Sequence, residues 1–166
     1  MQDIAQFSTI LRPPIIAALE LLGDSLATYD GPAGERLYDV PGGPLPPEDA
    51  AAPPRLLPMW ESTLLAYANR SRIIPPAYRT VIARNNGDLL PTLLVDGLVA
   101  GVWRPVAEGI EAMAFHGLAD DAWDALEDEA RGLLAFLGTR EPLVYSRYGH
   151  WWTKGLPRAE VRVIGR

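Results

Sequence analysis

Four arginines in the middle of the chain form its clearest chemical feature. They are Arg70, Arg72, Arg79 and Arg84. No Asp or Glu occurs between Glu61 and Asp88, the stretch that contains them. Guanidinium groups bind phosphate oxygens through paired hydrogen bonds and displace counterions as they do so. The stretch therefore predicts a strip that holds a phosphate backbone, and the alternative is a solvated face whose arginines pair with carboxylates elsewhere.

A second group, near the C-terminus, interleaves aromatic rings with cations. It contains Tyr145, Arg147, Tyr148, His150, Trp151, Trp152 and Lys154. Rings stack on unpaired bases while neighbouring cations hold the phosphates, so this composition suits nucleic-acid contact. We select Arg147, Trp151 and Lys154 as the binding candidates. The alternative is that the cluster closes one end of the C-terminal sheet.

Groups suited to bond-breaking chemistry are few. Glu61 follows Trp60, so a carboxylate and a stacking surface are adjacent, as base excision would require. The alternative places Trp60 in the core and pairs Glu61 with Arg70 or Arg72. The chain has no cysteine and only two histidines, and no metal-binding spacing or glycine-rich phosphate loop occurs. We therefore expect no metal and no cofactor.

Composition describes an ordinary globular protein with segregated charge. The 166 residues are 48% hydrophobic and 22% charged, and the formal net charge is -6. A sequence pI near 4.9 excludes nucleic-acid binding by bulk charge, so any such binding must come from a local patch. No apolar run approaches the roughly 20 residues of a membrane span, and the N-terminus lacks a basic leader region. We expect a cytoplasmic protein without membrane contact.

The first 40 residues predict two helices followed by two strands. Ile4 and Phe7 indicate a short helix over residues 2–9, and a second helix runs from Pro13-Pro14 to Gly23. Strands at 26–30 and 36–40 follow. This order predicts a small winged helix-turn-helix unit over residues 1–40, whose second helix carries mostly Ile, Leu and Ala and suits packing. Residues 41–58 contain seven prolines and predict an extended linker.

Residues 59–166 predict a second domain built on an antiparallel sheet. Strands at 91–95 and 98–103 flank Asp96-Gly97, a pair that suits a two-residue hairpin turn. Further strands are predicted at 79–83, 107–116, 143–152 and 159–166. Apolar residues three or four apart predict an amphipathic helix over 120–138. The fold class is therefore α+β: a winged unit, then a barrel-like antiparallel sheet with one packed helix.

Three segments carry a family resemblance. LYDVPGGPLP, LLPMWESTLLAYANRSRIIPP and NNGDLLPTLLVDGLVAGVW resemble, in order and spacing, the winged-helix DNA-binding proteins related to AlkZ-type DNA glycosylases. The resemblance implies winged-helix units followed by a small β-barrel, and removal of alkylated or crosslinked bases from DNA. Arg70 and Arg72 match the family's R-x-R motif, and Asp96 and Gly97 match its turn. Glu61 stands where the family usually has aspartate.

The family's catalytic segment has no counterpart in this chain. That segment is a glutamine, an apolar residue, and a glutamine or aspartate, whereas Gln2 and Gln6 are four apart. The resemblance spans about Asp3 to Leu137 and matches the last winged helix and the barrel. We therefore expect a module that binds duplex DNA, damaged or intact, without cleaving a glycosidic bond. The alternatives are a self-sufficient glycosylase that uses Glu61, and a protein-interaction module that docks a separate catalytic chain.

Overall fold

The computed structural model describes residues 1–32, 34–85, 87–140, 149–152 and 155–166. The chain divides into two compact units. Unit 1 consists of Met1–Ala50 and Ser62–Arg70, and unit 2 consists of Ala51–Glu61 and Ser71–Arg166. Within the described ranges, no helix combines the length and apolar character that crossing a bilayer requires.

Unit 1 contains the predicted helices and hairpin. Its elements are α1 (Gln2–Ser8), α2 (Arg12–Leu22), β1 (Ala27–Asp30), β2 (Arg36–Asp39) and α3 (Ser62–Leu65). Prolines occupy the first turn of α2, where missing amide donors cost nothing, and Gly23 ends the helix. Strands β1 and β2 pair antiparallel. That these helices and strands form a winged helix stays a prediction.

Unit 1 buries little of its apolar surface. Ile15 is the only buried residue of α2, although this helix is apolar on nearly every face. Leu21, in the last turn of the same helix, is 89% exposed. A helix that is hydrophobic all round is normally enclosed by other elements. The packing role that the sequence suggested for α2 therefore rests, within the described chain, on buried Ile15 and half-buried Leu19.

Unit 2 is built on a five-stranded antiparallel sheet in the order β3-β4-β5-β6-β7. The strands are β3 (Arg55–Leu57), β4 (Thr92–Val95), β5 (Leu98–Val106), β6 (Gly109–Ala114) and β7 (Glu160–Ile164). Asp96 and Gly97 join β4 to β5 with φ values of 50° and 74°. The predicted hairpin is therefore confirmed, including the two positive φ angles that its turn demands.

The sheet is open, so the predicted barrel closure is not found in the described residues. Strands β3 and β7 lie at its two edges and do not pair. Instead α5 (Asp120–Leu137) covers one face, and its buried residues Trp123, Leu126 and Ala130 join the core formed by the strands. A helix layer satisfies the apolar face of a sheet as well as closure does.

One predicted strand of unit 2 is helical, and so are the described residues of a second. Residues 79–83 contain β-branched side chains that favour a strand, but Arg79–Ile82 form α4. The preceding 3-10 turn, Pro76–Tyr78, has proline in its first turn and directs the chain into helical conformation. In the predicted strand at 143–152, residues 143–148 lie outside the described residues, and Gly149–Trp152 form α6.

Candidate nucleic-acid interface

Arg79 and Arg84 flank a short anchored segment of unit 2. Arg79 is the first residue of α4 and is exposed, whereas Ile82, in the same helix, is fully buried. Ala83 forms an isolated bridge with Leu89. The Arg84 amide then donates to the Asp88 carbonyl at 2.9 Å, which fixes the backbone at the base of an exposed loop. The helix, anchored by Ile82, and the bridge thus position two exposed arginines.

Arg84 and Trp151 are brought together by the fold, although they are 67 positions apart in the sequence. The Arg84 guanidinium carbon lies 4.1 Å from the centroid of the Trp151 ring. The indole Nε1 of Trp151 donates to the Val81 carbonyl at 3.2 Å, and the residue is only 5% exposed. The guanidinium therefore lies over the indole ring, with its charge directed to the surface. Burial suits a supporting role for Trp151 beneath Arg84.

Arg104 was not among the sequence candidates, yet it makes a parallel arrangement. Its guanidinium lies 5.3 Å from the Trp152 ring centroid. Nε and Nη2 also donate to the two carboxylate oxygens of Glu111 at 3.0 and 3.2 Å. The register of β5 and β6 places Arg104 opposite Glu111, so hairpin pairing contained the signal that could have identified the pair. Glu111 neutralises this charge, which leaves Arg104 a structural residue.

The arginines of unit 2 differ in whether a carboxylate neutralises them. The ion pairs of the described residues include Arg55 with Glu129, Arg104 with Glu111, Arg131 with Asp128, and Arg162 with Glu160 and Asp120. Arg79 and Arg84 form no ion pair with any carboxylate of the described residues. Their two charges are therefore available to a ligand, and they form the core of the candidate interface.

The other predicted binding residues are distributed differently. Arg70 belongs to unit 1, where it is half-buried and its Nε donates to the Tyr67 carbonyl at 3.2 Å. Arg72 is exposed and belongs to unit 2. Arg147 and Lys154 lie outside the described residues. The arginines of the predicted strip thus belong to two units, and the structure brings Arg84 into contact with Trp151.

The candidates for acid and base chemistry are spread over unit 2. Trp60 is 42% exposed, so the alternative that placed it in the core is wrong. Glu61 is half-buried. His116 is exposed and its Nδ1 lies 3.2 Å from the Tyr78 hydroxyl. His116 also borders a cleft of about 520 Å³ to which Asp96 and Asp121 contribute carboxylates. Those carboxylates would repel phosphate, so the cleft is not part of the interface.

One carboxylate of unit 2 has a shifted pKa, and it serves the fold. Glu160 accepts hydrogen bonds from the Leu118 amide, the Trp123 indole and Arg162 at 3.0 to 3.1 Å. The Leu118 amide, followed by Arg162 and Trp123, lowers the pKa of Glu160 below its ordinary value of 4.5. The ionised form connects β7 to the start of α5. These elements are far in the sequence from Arg79 and Arg84.

Comparisons with known proteins place the chain in a family. Among solved structures it is similar to Streptomyces sahachiroi DNA glycosylase AlkZ, with a TM-score of 0.63 and 22% sequence identity. The likeness covers 79% of this chain and 38% of that chain, so the protein spans well under half the length of this solved relative. Comparison with curated proteins found no match. The sequence model of a family described as DNA glycosylase AlkZ-like matches residues 1–136. Because this match covers more than half of the chain, the protein belongs to the AlkZ-like DNA glycosylase family.

Proposed function

We propose that this protein is a DNA-binding module with a role related to DNA-repair glycosylases, and that its unit 2 grips the DNA backbone. Arg79 and Arg84 hold phosphates, Arg72 adds a third contact, and Trp151 keeps Arg84 in position. The observation that carries the proposal is the contrast among arginines. Arg79 and Arg84 form no ion pair with the described carboxylates, whereas four other arginines of the same unit are neutralised.

A local patch of this kind fits the charge of the whole protein. The formal net charge of -6 opposes general attraction to DNA, so binding depends on a few charges held at suitable positions. A guanidinium that rests on a buried indole loses less conformational freedom when it meets a phosphate, which favours binding. Family membership makes DNA the expected polyanion.

We further propose that the chain contributes binding and not bond cleavage. The family's glutamine motif has no counterpart among its 166 residues. Trp151 acts through Arg84 and is a positioning residue. In this proposal the DNA is duplex and carries alkylated or crosslinked bases, in keeping with the family resemblance, and another polypeptide segment supplies the chemistry.

A salt titration of duplex DNA binding tests the backbone contacts. Each neutralised phosphate contributes about -0.9 to the slope of log affinity against log salt, so three contacts predict a slope of about -2.7. Exchanging Arg79→Gln and Arg84→Gln together leaves one contact and a slope of about -0.9. A fourfold rise in salt then weakens the wild type about 40-fold and the double variant about 3.5-fold.

The matched control removes the same two charges from ion-paired positions. Arg55 and Arg131 have 52% and 56% of their side chains accessible to solvent, but both face carboxylates. We expect Arg55→Gln with Arg131→Gln to keep the wild-type slope. An affinity that does not weaken with salt, or equal slopes for the two double variants, would contradict the proposal.

A second candidate function concerns unit 1 alone. Most large apolar side chains that the described chain exposes belong to this unit. They are Met1, Phe7, Ile10, Leu11, Ile16, Leu21, Leu22, Tyr29, Val40, Leu45 and Tyr67. Exposed apolar patches of this kind commonly mark protein contacts. We propose that the occupant is a polypeptide that corresponds to the remainder of the AlkZ architecture. This remainder is the part of the solved chain outside the 38% that matches this protein.

Sedimentation of the protein with that part of Streptomyces sahachiroi AlkZ tests the docking function. Leu21→Glu places a charge on the exposed side of α2, while Val161→Glu makes the same change at a 46% exposed position of unit 2. We expect a complex with the wild type and with Val161→Glu, and none with Leu21→Glu. Absence of a complex with the wild type, or equal association of both variants, would count against docking.

A further inference from the structure

Trp60 differs from the other four tryptophans of the protein. It is 42% exposed, whereas Trp103, Trp123, Trp151 and Trp152 are all buried. A tryptophan gains most of its stabilising free energy from removing its large apolar surface from water. Trp60 gains only part of this stabilisation, because 42% of its surface stays accessible to solvent.

The backbone of Trp60 is strained as well. Its φ is 58°, in the left-handed region that bulky side chains rarely adopt. Only two other non-glycine residues of the described chain have positive φ, and both have a local reason. Thr9 ends α1, and Asp96 forms the two-residue turn with Gly97. An asparagine or glycine would adopt the Trp60 conformation at a lower free-energy cost.

The residues before Trp60 are fixed on unit 2, which holds the strained position in place. Leu56 pairs with Leu93 in the sheet, and the Leu57 carbonyl accepts a hydrogen bond from the Trp103 indole at 2.9 Å. The side chain of Met59 is buried. The sheet thus determines where the chain reaches Trp60. Strain that the surrounding structure enforces is commonly found at binding sites, and here it presents an aromatic surface to solvent.

We propose that Trp60 is a stacking surface for a DNA base that lies outside the helical stack. The inference rests on the proposed DNA-binding function and narrows its substrate to DNA with an unpaired or displaced base. An indole face stacks on any base, since every base has a π-face, so the contact recognises the displaced state and not the sequence. Contacts of Arg79 and Arg84 with the DNA backbone supply affinity for any DNA. Trp60 supplies the preference for DNA with a displaced base.

Fluorescence polarisation with two labelled DNAs tests the preference. One is a fully paired duplex, and the other is the same duplex with a single unpaired adenine. Stacking on one base corresponds to about tenfold tighter binding of the bulged duplex by the wild type. We expect Trp60→Leu to lose this preference while keeping the affinity for paired DNA, and Trp60→Phe to recover part of it. Phe136→Leu, which removes another exposed ring of unit 2, leaves the preference unchanged.

Acrylamide quenching of the unmodified protein gives a second measurement that does not depend on a variant folding. Because the other tryptophans are buried, the accessible part of the emission comes from Trp60. We expect the bulged duplex to protect this emission and the paired duplex to leave it accessible. Equal affinities of the wild type and Trp60→Leu for bulged DNA, or emission that stays accessible in the bulged complex, overturn the inference. In that case the proposed function still stands if DNA binding depends on salt through Arg79 and Arg84. If the wild type shows no salt-dependent DNA binding, the proposed function itself is wrong.

Discussion

The contact between Arg84 and Trp151 makes a prediction about folding as well as binding. We consider three variants: Arg84→Ala, Trp151→Leu, and the two combined. If the guanidinium is held by the indole ring, the loss in free energy of unfolding on removing Arg84 depends on whether Trp151 is present. If the two side chains are merely neighbours, the losses caused by Arg84→Ala and Trp151→Leu add in the double variant.

The geometry sets the size of this dependence. The guanidinium carbon lies 4.1 Å from the ring centroid, well within cation-π range, and Trp151 is 5% exposed while Arg84 faces solvent. Such contacts contribute about 0.5–1 kcal/mol when exposed and about 2 kcal/mol when desolvated. With one partner buried and one exposed, we expect a coupling free energy of about 1 kcal/mol. The hydrogen bond from Trp151 to Val81 is lost in both variants that lack the indole, so it cancels from the coupling.

Urea denaturation of the wild type and the three variants measures this coupling. The free energy of unfolding is obtained for each protein, and the coupling is the departure of the double variant from additivity. We expect Trp151→Leu also to weaken DNA binding although it removes no charge, because Arg84 is no longer held in position. Costs that add to within about 0.3 kcal/mol would refute the idea that Trp151 positions Arg84.

Two further predictions concern the sheet that carries the interface. Because the pKa of Glu160 is lowered on folding, its carboxylate stabilises the protein above pH 4.5 and loses this effect as pH falls through the lowered pKa. The difference in melting temperature between the wild type and Glu160→Gln should therefore be constant above about pH 5 and shrink under acid conditions, and a difference independent of pH would contradict it. For Gly101→Ala, the new Cβ would lie 2.1 Å from the Met113 carbonyl oxygen, so we expect a loss of about 3 kcal/mol in urea denaturation. Gly132→Ala is the control: it meets no atom within 4 Å in α5 and should stabilise the protein by about 0.5–1 kcal/mol.

Local patterns in the sequence determined most of the secondary structure. The Asp96-Gly97 turn and the apolar spacing of α5 predicted a hairpin and a helix that the structure confirms. Both depend on residues close together in the chain, so their physical causes can be read from the sequence directly. The family resemblance was likewise carried by short motifs, and it is confirmed by the match over residues 1–136.

Tertiary structure decided which charges are free and which rings are covered. The sequence grouped four arginines by proximity along the chain, but Arg70 belongs to a different unit from the other three. Likewise, nothing near Arg84 in the sequence indicates that it rests on a tryptophan 67 positions away. Burial, and contacts such as that of Arg84 with Trp151, join residues far apart in the chain, and only packing establishes those contacts. The exposed Trp60 shows the same dependence, since its strained backbone follows from the sheet that holds the residues before it.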